Sequence, residues 1–260
     1  MLSAREEHFD MLLTLRKEFK GAVGFALLDY GAPPDHLSFF FVFCNRPSPP
    51  ALVPEYPFPK QVRQALTAVQ HLLDVGTPSS KLVLAGDSAG GNLALQIVAQ
   101  LLHPHPSLPA PPVGPLCLGG LLLLSPWMEF RTDAPSYTRN GARDVLPLCT
   151  YRLFTDGVLP GVTPELREHL EPAFAAARGR WRGLGHVAAR VLVIAGEHEA
   201  LLDPIEATAK AIAEGVQDTT VFILPRGVHD DLISAFGAGE GREGEDYRLI
   251  VSWVEKTLEL

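Results

Sequence analysis

Residues 86–91 read Gly-Asp-Ser-Ala-Gly-Gly, which sets Ser88 at the centre of a G-x-S-x-G pattern. Composition alone produces such a match in about one chain in ten of this make-up, so the five residues acquire meaning only from their surroundings. An apolar stretch of strand length, 81–85, precedes the motif, and a helix of small residues, 89–102, follows it. A strand-turn-helix of this kind holds a serine in a strained, exposed conformation, and small neighbours let strand and helix approach. The helix start also offers free N–H groups and the positive end of a dipole, where a negatively charged oxygen is stabilised. The Ala89 N–H is the first of these donors. A glycine-rich βα turn without chemistry is the plain alternative.

A serine needs a base. Of nine histidines, two follow late strands: His198 after 189–195, and His229 after 219–224, in Arg226-Gly227-Val228-His229-Asp230. In a fold that orders its triad Ser, acid, His along the chain, His229 is the better base, because it comes last and Gly227 permits a tight turn. His36, His103 and His105 lie in proline-rich loops and read as solvated surface residues. The acid then falls in 196–204, where Glu199 and Asp203 are both candidates. Asp203 precedes Pro204 at a helix start, where an N-cap role accounts for it. Glu199 has no such role and is the favoured acid.

The elements that must position these groups alternate. Helical spacing covers 5–19 and 59–75; strands are expected at 22–30, 81–85, 116–124, 189–195 and 219–224; helices at 89–102, 205–214 and 246–258. Strands that are apolar throughout, alternating with helices, imply an α/β fold with a parallel-rich central sheet covered on both faces. Residues 127–186 break the alternation with short helical fragments and read as a small surface lid. Trp127, Tyr137, Tyr151 and Trp181 in that region are either pocket-lining or packing residues.

Composition narrows the classes. With 260 residues, 47% of them apolar and 20% charged, the chain suits one globular domain spanning 1–260. A net charge of −8 without a Lys/Arg cluster argues against nucleic acid as a partner. The longest apolar run, 116–124, is about half of what a membrane-crossing helix requires. Residues 1–10 carry Glu6, Glu7 and Asp10 and resemble no signal or transit peptide. Cys44, Cys117 and Cys149 are odd in number and lack metal or disulfide spacing, which suits a reducing, cytoplasmic setting with no disulfide or zinc framework. The 23 prolines exceed the usual share of about 5% and cluster in two loops, 33–59 and 104–115.

Taken together, Tyr-Pro-Phe-Pro at 56–59, Gly-Asp-Ser-Ala-Gly-Gly at 86–91, Leu-Leu-Leu-Leu-Ser-Pro-Trp at 121–127, Ala-Gly-Glu-His-Glu at 195–199 and Gly-Val-His-Asp at 227–230 resemble the hormone-sensitive-lipase-like branch of the α/β-hydrolases, the alpha/beta hydrolase fold-3 family. The resemblance spans about 22–258. It implies a serine carboxylic-ester hydrolase working through an acyl-enzyme on small or medium acyl esters. It assigns Ser88 as nucleophile, His229 as base, and Glu199 to the acid position, where most relatives carry Asp. A ligand-binding member without catalysis is the alternative.

Two departures from the family pattern stand out. Relatives carry a His-Gly-Gly-Gly loop whose N–H groups complete the oxyanion hole; none occurs here, and by the resemblance it would end just before Met1, so the N-terminally incomplete sheet is expected to lack a central strand, between 22–30 and 81–85. Residues 31–51 also read as an insertion. The simpler explanation is a misread gene model, with a late start and a retained intron. The alternative is that 38–43, including Phe39-Phe40-Phe41-Val42-Phe43, occupies the vacant strand position, since aromatic runs favour strands.

Overall fold

The computed structural model describes residues 6–20, 22–25, 27–28, 40–41, 58–112 and 116–260. Its elements run α1 Glu6–Glu18, β1 Leu27–Leu28, β2 Phe40–Phe41, α2 Lys60–Asp74, β3 Val83–Asp87, α3 Ala89–Leu102 and β4 Gly120–Leu124. Four short helices follow: α4 Pro135–Asn140, α5 Leu148–Val158, α6 Pro164–Leu170 and α7 Pro172–Ala176. The chain then continues through β5 Val191–Gly196, α8 Leu202–Ala213, β6 Thr219–Leu224, α9 Asp231–Gly237 and α10 Glu245–Leu258.

Among the described residues the strands form one sheet in the order β1-β2-β3-β4-β5-β6. β3 to β6 pair in parallel, with Ala85 opposite Leu122, Leu122 opposite Leu192, and Leu192 opposite Thr220. Side chains alternate across a strand, so the leucines of β4 divide between two cores. Leu121 and Leu123 join Val62, Leu66 and Val69 of α2, Leu95 and Val98 of α3, and Ile205 and Ile212 of α8. Leu122 and Leu124 face Met11 and Leu15 of α1, Ile233 and Phe236 of α9, and Ile250 and Trp253 of α10. The sheet is thus covered on both faces, as the apolar strand pattern requires.

Several boundaries differ from those expected. β3 begins at Val83 because Ser79–Lys81 forms a 3-10 turn, in which the Lys81 ammonium reaches the Leu258 carbonyl and Glu259. β4 is shortened to Gly120, with Leu118 making an isolated bridge to Ala188. α8 starts at Leu202, three residues early, since Pro204 is tolerated within a helix's first turn. α9 was not expected. Of the expected strand 22–30, residues 27–28 form β1, whereas 22–25 are described and are not strand. From the run 38–43, Phe40–Phe41 lies between β1 and β3 and pairs antiparallel with both, Phe40 opposite Gly86 and Phe41 opposite Ala85. The position expected to be vacant therefore holds a strand at these two residues, running opposite to β3. The rest of 31–51 lies outside the described residues, as do His36 and Cys44.

Residues 127–186 fold into α4 to α7. Trp127, Tyr137, Tyr151 and Trp181 are all buried in the larger core. Among the described residues no helix is long and apolar enough to cross a membrane.

Candidate active site

β3 ends at Asp87 and α3 begins at Ala89, leaving Ser88 alone in the turn with φ 49° and ψ −116°. A non-glycine residue on that side of the map stores roughly 1–3 kcal/mol of strain. Its neighbours hold it there: the Ser88 N–H donates to the Leu124 carbonyl (2.9 Å), and the Ser88 carbonyl accepts from the N–H groups of Trp127 (2.9 Å) and Asn92 (3.2 Å). Gly86 makes the turn sterically possible, because a Cβ there would lie 2.3 Å from the carbonyl carbon of Gly90. The first N–H groups of α3, beginning with Ala89, are those that a helix leaves without an intrahelical partner.

His229 arrives from the opposite end of the parallel sheet, in the loop between β6 and α9. Arg226 and Asp230 take positive φ (61° and 55°) on either side of it, folding five residues into a compact bend. Gly196, at the end of β5, allows that bend to lie against the acid loop: a Cβ on it would meet the Gly227 carbonyl carbon at 2.4 Å. The imidazole is 3% exposed. Its Nε2 stands 2.9 Å from the Ser88 Oγ and its Nδ1 3.5 Å from the Glu199 Oε2. Neither Nδ1 nor Oε2 has a hydrogen-bond partner of its own among the described residues, so they face each other at ion-pair distance. Contacts of this kind are commonly long without substrate.

Glu199 is fully buried, and its other oxygen accepts the Ser125 hydroxyl and the Gly196 N–H, both at 2.5 Å. Asp203, the alternative acid, lies elsewhere. It is not the N-cap of its own helix but sits inside the first turn of α8, accepting the Ser136 N–H (2.8 Å) and the Arg139 guanidinium (2.6 Å), and it pins the start of α4. His198 is half-buried and outside the cluster. His103 and His105 are half-buried, not solvated: the His103 Nε2 bonds the Arg180 carbonyl, and His105 packs edge-on against His169.

Of three further neighbours of His229, Asp230 and Asp144 carry no sequence signal of a role, whereas Tyr151 is one of the aromatic residues noted in the sequence. Asp230 places Oδ2 3.4 Å from Nε2, on the Ser88 side of the ring. Tyr151 packs edge-on against the ring at 6.2 Å between centroids. The Asp144 carboxylate accepts the His229 backbone N–H at 2.9 Å. Burial by itself lowers the imidazole's proton affinity, but the carboxylates of Asp230, Glu199 and Asp144 outweigh it and raise His229 to about 10. Burial pushes the Glu199 carboxyl up, against the opposing pull of His229, Ser125 and Gly196. In both groups the balance favours a proton held within the pair. Among the described residues no group of three or more His, Cys, Asp or Glu side chains could hold a metal ion.

A hydroxyl in a strained strand-helix turn, an imidazole at hydrogen-bond distance and a buried carboxylate behind it form the constellation used for acyl transfer on α/β sheets. The chain belongs to that class of fold: residues 51–232 match a family model described as alpha/beta hydrolase fold, which makes the protein a member of the alpha/beta hydrolase fold-3 family, a serine hydrolase family of the carboxylesterase/lipase type. An acetyl-hydrolase of Streptomyces hygroscopicus is 30% identical over 177 residues, covering 68% of this chain and 53% of that protein. An esterase of Acinetobacter venetianus is 26% identical over 121 residues, 46% of this chain and 35% of that one. The chain spans about half the length, or less, of these curated relatives. A solved esterase/lipase from an uncultured bacterium is 27% identical with a TM-score of 0.61, covering 80% of this chain and 63% of its own. An esterase of the bacterial hormone-sensitive lipase family shares the fold at 19% identity and TM-score 0.64, covering 100% of this chain and 99% of its own.

Proposed function

We propose that the protein is a serine carboxylic-ester hydrolase acting through an acyl-enzyme on small or medium acyl esters. The observation that carries this reading is the 2.9 Å approach of the His229 Nε2 to the Ser88 Oγ in the strained turn, with Glu199 buried behind the ring. In this reading His229 takes the Ser88 proton as the oxygen attacks the ester carbonyl. The tetrahedral oxyanion is held by the Ala89 N–H and the positive end of α3. His229 then protonates the leaving alcohol and activates water for deacylation, while Glu199 keeps the imidazole in the productive tautomer and stabilises its charged form. No cofactor enters these steps. The names of the acetyl-hydrolase and esterase relatives support esters as substrates, and the acetyl group as a small acyl part.

The 260 residues hold no His-Gly-Gly-Gly run, so the family's second source of oxyanion donors is missing from this sequence. One lost donor costs roughly two to three orders of magnitude in turnover. The expected behaviour is weak hydrolysis of p-nitrophenyl acetate that disappears in Ser88→Ala. Fusing an upstream His-Gly-Gly-Gly segment should raise kcat by about 100-fold or more. Hydrolysis that survives in Ser88→Ala would refute the assignment of the nucleophile.

A further inference from the structure

Asp144 lies between α4 and α5, in the helical segment that joins β4 to β5, and is half-buried. Its Oδ2 accepts the N–H of Ala200 at 2.7 Å, and its Oδ1 accepts the N–H of His229 at 2.9 Å and that of Val145 at 2.8 Å. The Tyr151 hydroxyl stands 3.4 Å from Oδ2. Ala200 directly follows Glu199. One carboxylate therefore ties the backbone of the acid loop to the backbone of the base loop, and it does so from a third part of the chain. α4 grips the same acid loop from its carbonyl side: the Asn140 Nδ2 donates to the carbonyls of Glu197 (3.1 Å) and Glu199 (2.7 Å), and the Ser136 hydroxyl donates to that of Ala200 (2.6 Å).

Resting on the acyl-transfer reading of Ser88, His229 and Glu199, we infer that Asp144 is a positioning residue, a two-ended carboxylate clamp by which the α4–α5 segment sets the spacing between Glu199 and His229. The chemistry of the clamp requires a carboxylate. Two oxygens with about four acceptor sites can take N–H groups from two loops at once, and each such bond is charge-assisted. An asparagine has one acceptor oxygen and can hold one loop. The two loops also meet directly, the His198 N–H donating to the Gly227 carbonyl (2.8 Å) and the Arg226 N–H to the Glu197 carboxylate (2.8 Å), and the Ser125 hydroxyl bridges the Asp230 N–H and Glu199; the Glu199 and His229 side chains themselves stand 3.5 Å apart, a spacing at which small displacements change the interaction strongly. The clamp also carries charge. The titratable groups facing the His229 ring are Glu199 from the acid loop, Asp230 from its own loop, Tyr151 from α5 and Asp144. Removing the Asp144 charge deletes one of the three carboxylates that favour the imidazolium, so the His229 titration must move to lower pH.

The test follows two readouts in the wild type, Asp144→Asn and Asp144→Ala. One is the His229 imidazole titration by NMR. The other is the rate at which a fluorophosphonate labels Ser88, compared at pH values above each protein's titration so that only geometry differs. The expected result is a downward shift of the titration in both variants. The plateau labelling rate should fall about 10- to 100-fold in Asp144→Ala and less in Asp144→Asn, which keeps one anchor, with kcat on p-nitrophenyl acetate falling and KM unchanged. An unmoved titration together with wild-type labelling rates in both variants would overturn the clamp. A wild type that never labels would instead refute the acyl-transfer reading, and the His229 titration would still decide whether the clamp exists.

Discussion

His229 meets three carboxylates, and their field should govern its working pH. Only the neutral imidazole accepts the serine proton, and the ring is protonated below its pKa. With His229 raised to about 10, hydrolysis is expected to climb with pH through the neutral range and to level near that value. Asp230→Asn removes the strongest raising charge, so the acid limb of kcat/KM should move to lower pH and activity near pH 7 should rise. A pH profile of the two proteins checks this. The choice of acid is testable in the same assay. Glu199→Gln should lower kcat by about 10³- to 10⁴-fold by disturbing the imidazole tautomer, whereas Asp203→Asn breaks a half-exposed pair with Arg139 and should leave kcat near the wild-type value. At this scale motif order along the sequence pointed to Ser88, Glu199 and His229, and the structure brings these three side chains together. The roles of Ser125 and Asp230 were not legible although both lie in quoted motifs, and Asp144 lies in none, because their partners lie across the fold or depend on backbone conformation.

Two glycines translate elements into site geometry. Gly86 lets α3 fold back on β3 under the serine, and Gly196 lets the β6–α9 loop rest on the end of β5. A Cβ at position 196 would collide with the Gly227 backbone, which cannot yield without moving His229. Gly196→Ala is therefore expected to cost about 1–3 kcal/mol, lowering the melting temperature by about 2–4 °C per kcal/mol in a chain of this size, and to reduce kcat in parallel. Calorimetry with steady-state kinetics measures both; a full loss of stability without loss of kcat in the folded fraction would contradict the role given to this contact. Long periodic elements such as α2, α3 and α10 were legible from their apolar spacing. Seven-residue α9 was not, since two turns carry too little period to recognise. The strand ends shifted where hydrogen bonds outside the sheet, such as those of the Gly119 N–H to the carbonyls of Ser79 and Leu82, compete with the ladder.

Over the whole molecule, four parallel strands carry the serine turn, the Ser125 turn, the acid loop and the base loop at successive strand ends, from β3 through β6. That order places Ser88, Glu199 and His229 side by side although Ser88 and His229 lie 141 positions apart in the chain. It was legible because apolar strands alternating with helices leave few topologies. Less legible was the other side of β3, where β2 enters antiparallel at Phe40–Phe41: aromatic content argued for a strand, but nothing local fixed its direction. The helical segment 127–186 read as a surface lid, yet through Ser136, Asn140 and Asp144 it braces the acid and base loops. The claim on which everything else depends is that Ser88 is an activated nucleophile. The most direct measurement is peptide mapping by mass spectrometry after treatment with a fluorophosphonate across pH 6 to about 10, the range set by the His229 titration. A single adduct on Ser88 is expected, formed faster as pH rises and lost in His229→Ala. An unlabelled Ser88, or labelling unaffected by His229→Ala, would contradict that claim.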